Sequence, residues 1–132
     1  MLLLNWGGDM ELGAFSISLA VKDIEVSKVF YQKLGFEKIG GDQTQNWLIL
    51  RNGDHTIGLF QGMFEENVMT FNPGWDKDNK PLESFTDIRA LFKEYESQGV
   101  NIIDKSITGE SGPSSMSLKD PDGNLILIDQ HV

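Results

Sequence analysis

Cysteine is absent from this chain of 132 residues, and so is any long apolar run. The first absence excludes disulfide bonds, thiolate metal sites and a cysteine nucleophile. The second argues against a helical membrane span, which needs about 20 consecutive apolar residues. The apolar start, Met1 to Leu4, is short and has no basic flank, unlike a secretion signal, so we expect a cytoplasmic protein that does not engage a membrane.

Positive charge is also scarce. The chain has 11 Lys and Arg against 20 Asp and Glu, a formal net charge of −9. This balance argues against nucleic acid and anionic membranes as partners, and it would concentrate cationic ligands near the surface. A generic acidic, solvated surface is the better explanation of the charge, because the sequence does not say where the carboxylates cluster. We find no phosphate-cradling glycine loop, serine triad or pair of catalytic carboxylates.

Apolar residues recur at helical spacing in two segments. The first segment follows Asp23, a favourable N-cap, and ends at Gly35; the second follows Ser84 and Thr86 and ends at Gly99. Each helix therefore needs to bury an apolar face. The residues that form these predicted faces are Val26, Val29, Phe30 and Leu34 in the first helix and Ile88, Leu91, Phe92 and Tyr95 in the second.

Eight further segments have the apolar pattern of strands. They cover 15–21, 36–39, 47–50, 56–60, 67–71, 100–103, 115–118 and 125–128. The order β-α-β-β-β thus occurs twice, and Gly35 and Gly99 lie 64 positions apart, which indicates a duplicated module. We predict an α+β fold, a single domain over 1–132 in which two tandem βαβββ modules form curled mixed β-sheets with helices packed outside. Module one spans about 11–62, module two about 67–132, and 1–10 is an N-terminal extension.

Two motifs carry a resemblance to a known family. Leu19 to Ile24, followed by Phe30-Tyr31 and Leu34-Gly35-Phe36, resembles the opening of a module of the glyoxalase, bleomycin-resistance and extradiol-dioxygenase superfamily. The turn Asp120 to Asn124, before the last strand, is similar as well. The resemblance implies a small-molecule pocket between the sheets and a homodimer. In many members that pocket holds a divalent metal.

The resemblance also identifies the positions of the metal ligands. They fall on Ser16, on Gly58, on Val68 or Thr70, and on Leu127. None of these side chains is a strong donor of the kind that divalent metals require. We therefore expect no resident metal and no cofactor, and none of the metal-dependent reactions of the family.

Strand alternation predicts which residues share the pocket face. If Ser16 faces inward, so does Ser18; if Gly58 does, so does Phe60. The expected ligand-binding residues are Ser16, Ser18, Trp47, Gly58, Phe60, Thr70, Trp75 and Leu127. For Trp47 and Phe71, a place in the core or a subunit contact is an equally good interpretation. Met63, Phe64 and Trp75 lie in predicted loops and are candidates for a lid or an interface, and residues 73–81 form a loop that module one lacks.

Two residues near the end of the chain are candidates for catalysis. Asp129 and His131 share the predicted face of Leu127 and could orient one another as an acid–base pair. Alternatively, the chain end frays and both are ordinary solvated groups. His55 is predicted to lie on the opposite face, at the surface.

Two functions follow from these residues. The first is a metal-independent protein of the bleomycin-resistance type, which binds a small molecule without chemistry. The alternative is a lyase- or isomerase-like enzyme, related to lactoylglutathione lyase, that uses Asp129 and His131. Activity on a methylglyoxal–glutathione adduct would favour the enzyme.

Overall fold

The computed structural model describes residues 10–132, so nearly all of the predicted extension, 1–10, lies outside the described residues. The chain divides into two compact units, Ser16–Met69 and a second unit formed by residues 10–15 with Thr70–Val132. Helices and strands follow the predicted order in both halves. The α+β class and the tandem βαβββ modules are therefore confirmed.

Module one places its four strands in the order β2-β3-β4-β1, with β1 parallel to β4 and the other neighbours antiparallel. Its elements are β1 (Ala14–Val21), α1 (Ile24–Lys33), β2 (Glu37–Asp42), a 3-10 turn (Gln43–Gln45), β3 (Trp47–Asn52) and β4 (His55–Gln61).

Module two repeats this arrangement in the order β5-β8-β7-β6, with antiparallel pairing of β6 with β7 and of β7 with β8. Its elements are β5 (Val68–Asn72), α2 (Ile88–Ser97), β6 (Ile102–Ser106), β7 (Ser114–Lys119) and β8 (Leu125–Gln130). Within the described residues, no helix combines the length and the apolarity needed to cross a bilayer.

Both helices begin in the same way. The Asp23 carboxylate accepts hydrogen bonds from two backbone N–H groups of the first turn of α1, and Asp87 caps α2. A glutamine from the last strand of each module accepts the first N–H of the helix: Gln61 Oε1 from Ile24 at 2.8 Å, and Gln130 Oε1 from Ile88 at 2.7 Å. The cap of α2 is thus Asp87, which is closer to the helix than the predicted Ser84 and Thr86.

Each module buries its own apolar cluster. The buried residues are Ile24, Leu48, Leu50, Ile57 and Leu59 in module one, and Ile88, Leu91, Met116, Leu118 and Ile128 in module two. On β3 and β4 these residues alternate with Trp47, Ile49, Gly58 and Phe60, which point to the opposite face of the sheet. The side chains predicted to bind a ligand on these strands lie on that face.

The predicted apolar face of α1 is wrong. Val26 is 64% exposed, Phe30 53% and Leu34 55%, and Val29 is exposed as well. The helix contacts its sheet through Ile24 and Tyr31 instead. The spacing identified a real apolar stripe, but α1 has apolar residues on two sides and the pattern does not say which side meets the sheet. In α2 the prediction is confirmed, because Ile88 and Leu91 are buried and Phe92 and Tyr95 pack against them.

Candidate functional site

An aromatic surface lies on the face of module one that points away from α1. Trp47 and Phe60 are cross-strand partners on β3 and β4, with their ring centroids 6.4 Å apart and the planes 9° from parallel. The ring of Phe64 follows at 5.3 Å from Phe60. We call these three residues the aromatic surface. Trp47, Phe60 and Phe64 are half-buried residues.

Small residues adjoin the aromatic surface on β1. Ser18 pairs with Gly58 and Ala20 pairs with Phe60 in the parallel register of β1 and β4. Ser18 is 8% exposed, and Ser16, two residues earlier on the strand, shares its face. The structure thus brings Ser16, Ser18, Gly58 and Phe60 to one face, together with Trp47.

A second group of predicted residues meets at the end of β8. The rings of His131 and Trp75 stack in parallel, 4.2 Å apart with an interplanar angle of 4°. His131 Nε2 lies 3.3 Å from Asp129 Oδ2 and 3.2 Å from Asn72 Oδ1. We call Asn72, Trp75, Asp129 and His131 the His131 cluster. These contacts hold His131 in place and argue against the frayed chain end.

The neighbours of His131 define its tautomer. Asn72 Nδ2 donates to the backbone oxygen of Ala14, so its Oδ1 is the atom that faces His131. Both atoms near Nε2, from Asn72 and Asp129, are acceptors, and Nε2 therefore carries the proton. In the neutral ring this leaves the lone pair on Nδ1, the arrangement of a base that is oriented by a carboxylate. The His131 side chain is 41% exposed, which leaves it accessible to a ligand.

Sequence reasoning missed Asn72, which is buried in the cluster. Strand alternation could have found it, since it lies two residues after Thr70 on β5, on the face assigned to Thr70. Thr70 itself is 7% exposed. Leu127 pairs with Ser117 and points away from the buried Ile128 next to it.

A cavity of about 670 Å³ lies beside Trp75 in module two. It is lined by the start and the end of the loop after β5, including Gly74, Asp76 and Phe85, and by residues 11–13. Hydrogen bonds from the backbone N–H groups of Lys80 and Asp78 lower the pKa of Asp76, so this carboxylate stays ionised while it shapes the loop. A second groove, at Phe92 and residues 99–105, contains none of the predicted site residues.

Comparison with known proteins identifies the family. Residues 13–128 match the sequence profile of the Glyoxalase/Bleomycin resistance protein/Dioxygenase superfamily. The chain belongs to this superfamily. It is also 31% identical over 118 residues to a virulence protein of Salmonella typhimurium, an alignment that covers 86% of this chain and 81% of that protein.

Solved structures of the superfamily share the fold. A member from Vibrio splendidus 12B01 superposes with a TM-score of 0.63 at 18% identity, over 88% of this chain and 97% of that one. Methylmalonyl-CoA epimerase from Mycobacterium tuberculosis gives a TM-score of 0.61 at 15% identity, over 91% and 88%. At these identities the likeness shows the fold and does not transfer an activity.

The residues of this chain do not fit the metal that the resemblance implies. A Cβ atom on Gly58 would lie 2.5 Å from Phe60 Cε2, because the Phe60 ring covers the space that a donor side chain would need. Leu127 and the hydroxyls of Ser16 and Thr70 supply no comparable donor set. Across residues 10–132, no three His, Cys, Asp or Glu side chains are grouped as metal ligands would be.

Several further predictions can be compared with the structure. His55 is exposed at the start of β4, as predicted for a surface residue. Phe71 packs against the module-two core and against Phe15, so its role is structural. Of the predicted loop aromatics, Phe64 joins the aromatic surface, Trp75 joins the His131 cluster, and Met63 is 52% exposed.

Proposed function

We propose that this protein binds a small organic molecule and does so without a resident divalent metal. The observation that carries the proposal is the position of the Phe60 ring over Gly58. At that position the resemblance implies a metal ligand, and here an aromatic ring stacked on Trp47 takes the space. Stacking on these half-buried aromatic residues then replaces coordination as the source of affinity.

The chemistry of the aromatic surface favours a flat ligand, and the charge of the chain favours a cationic one. Tryptophan and phenylalanine rings bind planar groups by stacking and attract cations through their π faces. The net charge of −9 raises the local concentration of cations. Ser16 and Ser18 would orient polar groups of the ligand, in the manner of pockets that are mostly apolar with a few polar groups.

Titration with planar aromatic cations and their neutral analogues of the same shape tests the proposal. We expect the cations to bind more tightly in calorimetry, and EDTA to leave the affinity unchanged. Trp47→Leu should weaken binding about tenfold or more, since stacking is lost. Phe15→Leu is the matched control, because Phe15 is half-exposed but packs on Phe71 outside the aromatic surface. Affinity that requires added metal would contradict the proposal.

The His131 cluster supports a second candidate, a metal-independent lyase or isomerase. The specific observation is that Asp129 and Asn72 both accept from His131 Nε2, which prepares Nδ1 to remove a proton from a substrate. A direct assay uses the hemithioacetal of methylglyoxal and glutathione as substrate. His131→Gln should lower a metal-free rate by about 100-fold or more, because the proposed base is removed. A rate unchanged by His131→Gln would reject this candidate without affecting the first.

A further inference from the structure

The loop between β5 and α2 is a feature of module two alone. In module one only Lys22 separates the end of β1 from the helix cap, Asp23. In module two, residues 73–86 lie between the end of β5 and the cap, Asp87. The fold therefore does not require this loop, and long connections in compact domains often have a function of their own.

Backbone hydrogen bonds hold this loop in a defined shape. Trp75 and Pro81 form an antiparallel bridge between its two arms, and the backbone N–H of Leu82 donates to the oxygen of Gly74 at 2.8 Å. The backbone N–H of Ala14 donates to the oxygen of Trp75 at 3.0 Å, which ties the loop to the start of β1. A loop that is already ordered loses little further freedom when a ligand binds beside it.

Two aromatic residues line the cavity of about 670 Å³ beside the loop. The first is Trp75, whose ring is fixed by its stacking on His131. The second is Phe85, whose ring lies so close to Gly74 that a Cβ atom there would be 3.2 Å from Phe85 Cε2. The volume lies in the range of about 300–1,000 Å³ that is usual for small-molecule sites. Aromatic rings at such a site attract organic cations.

Two carboxylates, those of Glu11 and Asp76, line the same cavity. Asp76 Oδ1 accepts hydrogen bonds from the backbone N–H groups of Lys80 at 3.1 Å and Asp78 at 2.8 Å. Within residues 10–132, Asp76 Oδ2 and the Glu11 carboxylate accept no hydrogen bond. Both groups are therefore available to a ligand.

The basic residue of the cavity does not neutralise these carboxylates. Lys77 Nζ lies 3.7 Å from Asp78 Oδ2, and the Lys77 side chain is 62% exposed. The lining thus keeps an excess of negative charge, which repels phosphates and carboxylates and attracts cations. A primary ammonium group donates three hydrogen bonds, and the two carboxylates and the Ser84 hydroxyl of the lining supply acceptors for them.

We propose that this cavity is a second ligand site, which binds a compact organic molecule that carries a primary ammonium group. The ammonium group binds at Asp76 and Glu11, and the apolar part of the ligand packs against Trp75 and Phe85. The site is separate from the aromatic surface of module one and does not rest on the function proposed for that surface. The two also differ in shape preference, because a cavity accepts a ligand that is not flat.

Titration followed by ¹H–¹⁵N NMR tests the site, with cyclohexylammonium as the probe and cyclohexanol as its neutral analogue of similar shape. We expect the ammonium compound to bind about tenfold or more tightly than the alcohol, because only the ammonium group is attracted by the carboxylates. The backbone signals that shift should belong to residues 11–13 and 74–86. Equal affinity for the two compounds, no shifts, or shifts confined to Trp47, Phe60 and Phe64 on the aromatic surface would overturn the proposal.

Two substitutions test the role of the carboxylates in the same titration. Asp76→Asn removes the charge but keeps an oxygen that accepts the two backbone hydrogen bonds of the loop, and Glu11→Gln removes a charge that takes no part in them. Each should raise the dissociation constant of cyclohexylammonium by about fivefold or more. The control Glu83→Gln removes the same charge from an exposed position of the same loop that does not line the cavity, and it should leave the affinity unchanged. An equal response of all three variants would overturn the proposal.

Discussion

The two modules of this protein share the contacts at the start of the helix and differ in their exposed residues. In each, an aspartate caps the helix and a glutamine at the end of the last strand accepts the first backbone N–H of the helix, from Ile24 or Ile88. In each, the strand after the helix contains a bulge at an isoleucine, Ile39 or Ile103. The aspartate and the glutamine satisfy the N–H groups at the start of each helix, and the two modules share these contacts and the bulge.

The modules differ in residues that take no part in these shared contacts. Module one carries the aromatic surface on its sheet and an apolar stripe on its helix. Module two carries the His131 cluster on its sheet and a polar helix face. The difference is the one expected when a duplicated scaffold keeps its internal contacts and the exposed residues of each copy change independently.

The largest expected effect is a difference in stability between substitutions of the two glutamines, Gln130 and Gln61, that contact the start of a helix. Gln130 is 1% exposed, and its side chain also donates to Asp87, Gly112 and Val132. Gln130→Met should destabilise the protein by about 3 kcal/mol, because several buried polar groups lose their partner. Gln61 is less buried and has one such bond, so Gln61→Met should cost about 1 kcal/mol. Urea unfolding measures both, and equal losses would contradict the difference in burial.

A smaller effect concerns the sheet face of module one. Gly40 and Gly58 both pair with Ile49, but a Cβ atom at Gly58 would meet the Phe60 ring, whereas one at Gly40 would find ordinary contacts at 3.8 Å. Gly58→Ala should cost about 1 kcal/mol and disturb the stacking of Phe60 on Trp47. Gly40→Ala should change stability by less than about 0.5 kcal/mol. Thermal unfolding measures the stability of both variants, and near-UV circular dichroism reports the stacking of Phe60 on Trp47. An unchanged aromatic signal in Gly58→Ala would refute the close contact.

The smallest effect is a pH dependence at the cap of α2. Burial alone would raise the pKa of Asp87, but hydrogen bonds from Gln130 and Arg89, with the charge of Arg89, outweigh it and lower that pKa. The stabilisation by the carboxylate is therefore complete above the unfolded pKa of about 3.9 and is lost as the pH falls through the lower folded pKa.

Asp87→Asn tests this dependence. Because solvent screens this partly exposed carboxylate, the substitution should cost about 0.5 kcal/mol at neutral pH, and the difference from the wild type should shrink below about pH 4. Asp23→Asn is the control, since Asp23 binds only backbone N–H groups that asparagine also satisfies. Urea midpoints between neutral and acid pH provide the measurement. A constant difference across that range would show that the Asp87 charge does not matter.

Sequence reasoning predicted the features that depend on residues close together in the chain. Asp23 as a cap, Gly35 and Gly99 at left-handed turns with φ of 99° and 76°, and the alternation that unites Ser18 with Gly58 are all present in the structure. Each depends on residues close in the chain or on the period of a strand. Such signals can be read from one sequence.

The features that sequence reasoning did not predict depend on tertiary packing. The side of α1 that meets the sheet depends on Ile24 and Tyr31 finding partners in other strands. The placement of the Phe60 ring over Gly58 depends on a rotamer, and the contact between Asn72 and His131 joins residues 59 positions apart. No local pattern encodes these contacts.

Metal analysis of protein purified without chelators tests the central claim most directly. Elemental analysis by mass spectrometry should find far less than one equivalent of zinc, nickel, manganese or iron per chain, because Gly58 and Leu127 offer no donor and Phe60 covers the space at Gly58. About one tightly held ion per chain would contradict the claim and make a metal-dependent enzyme the better account.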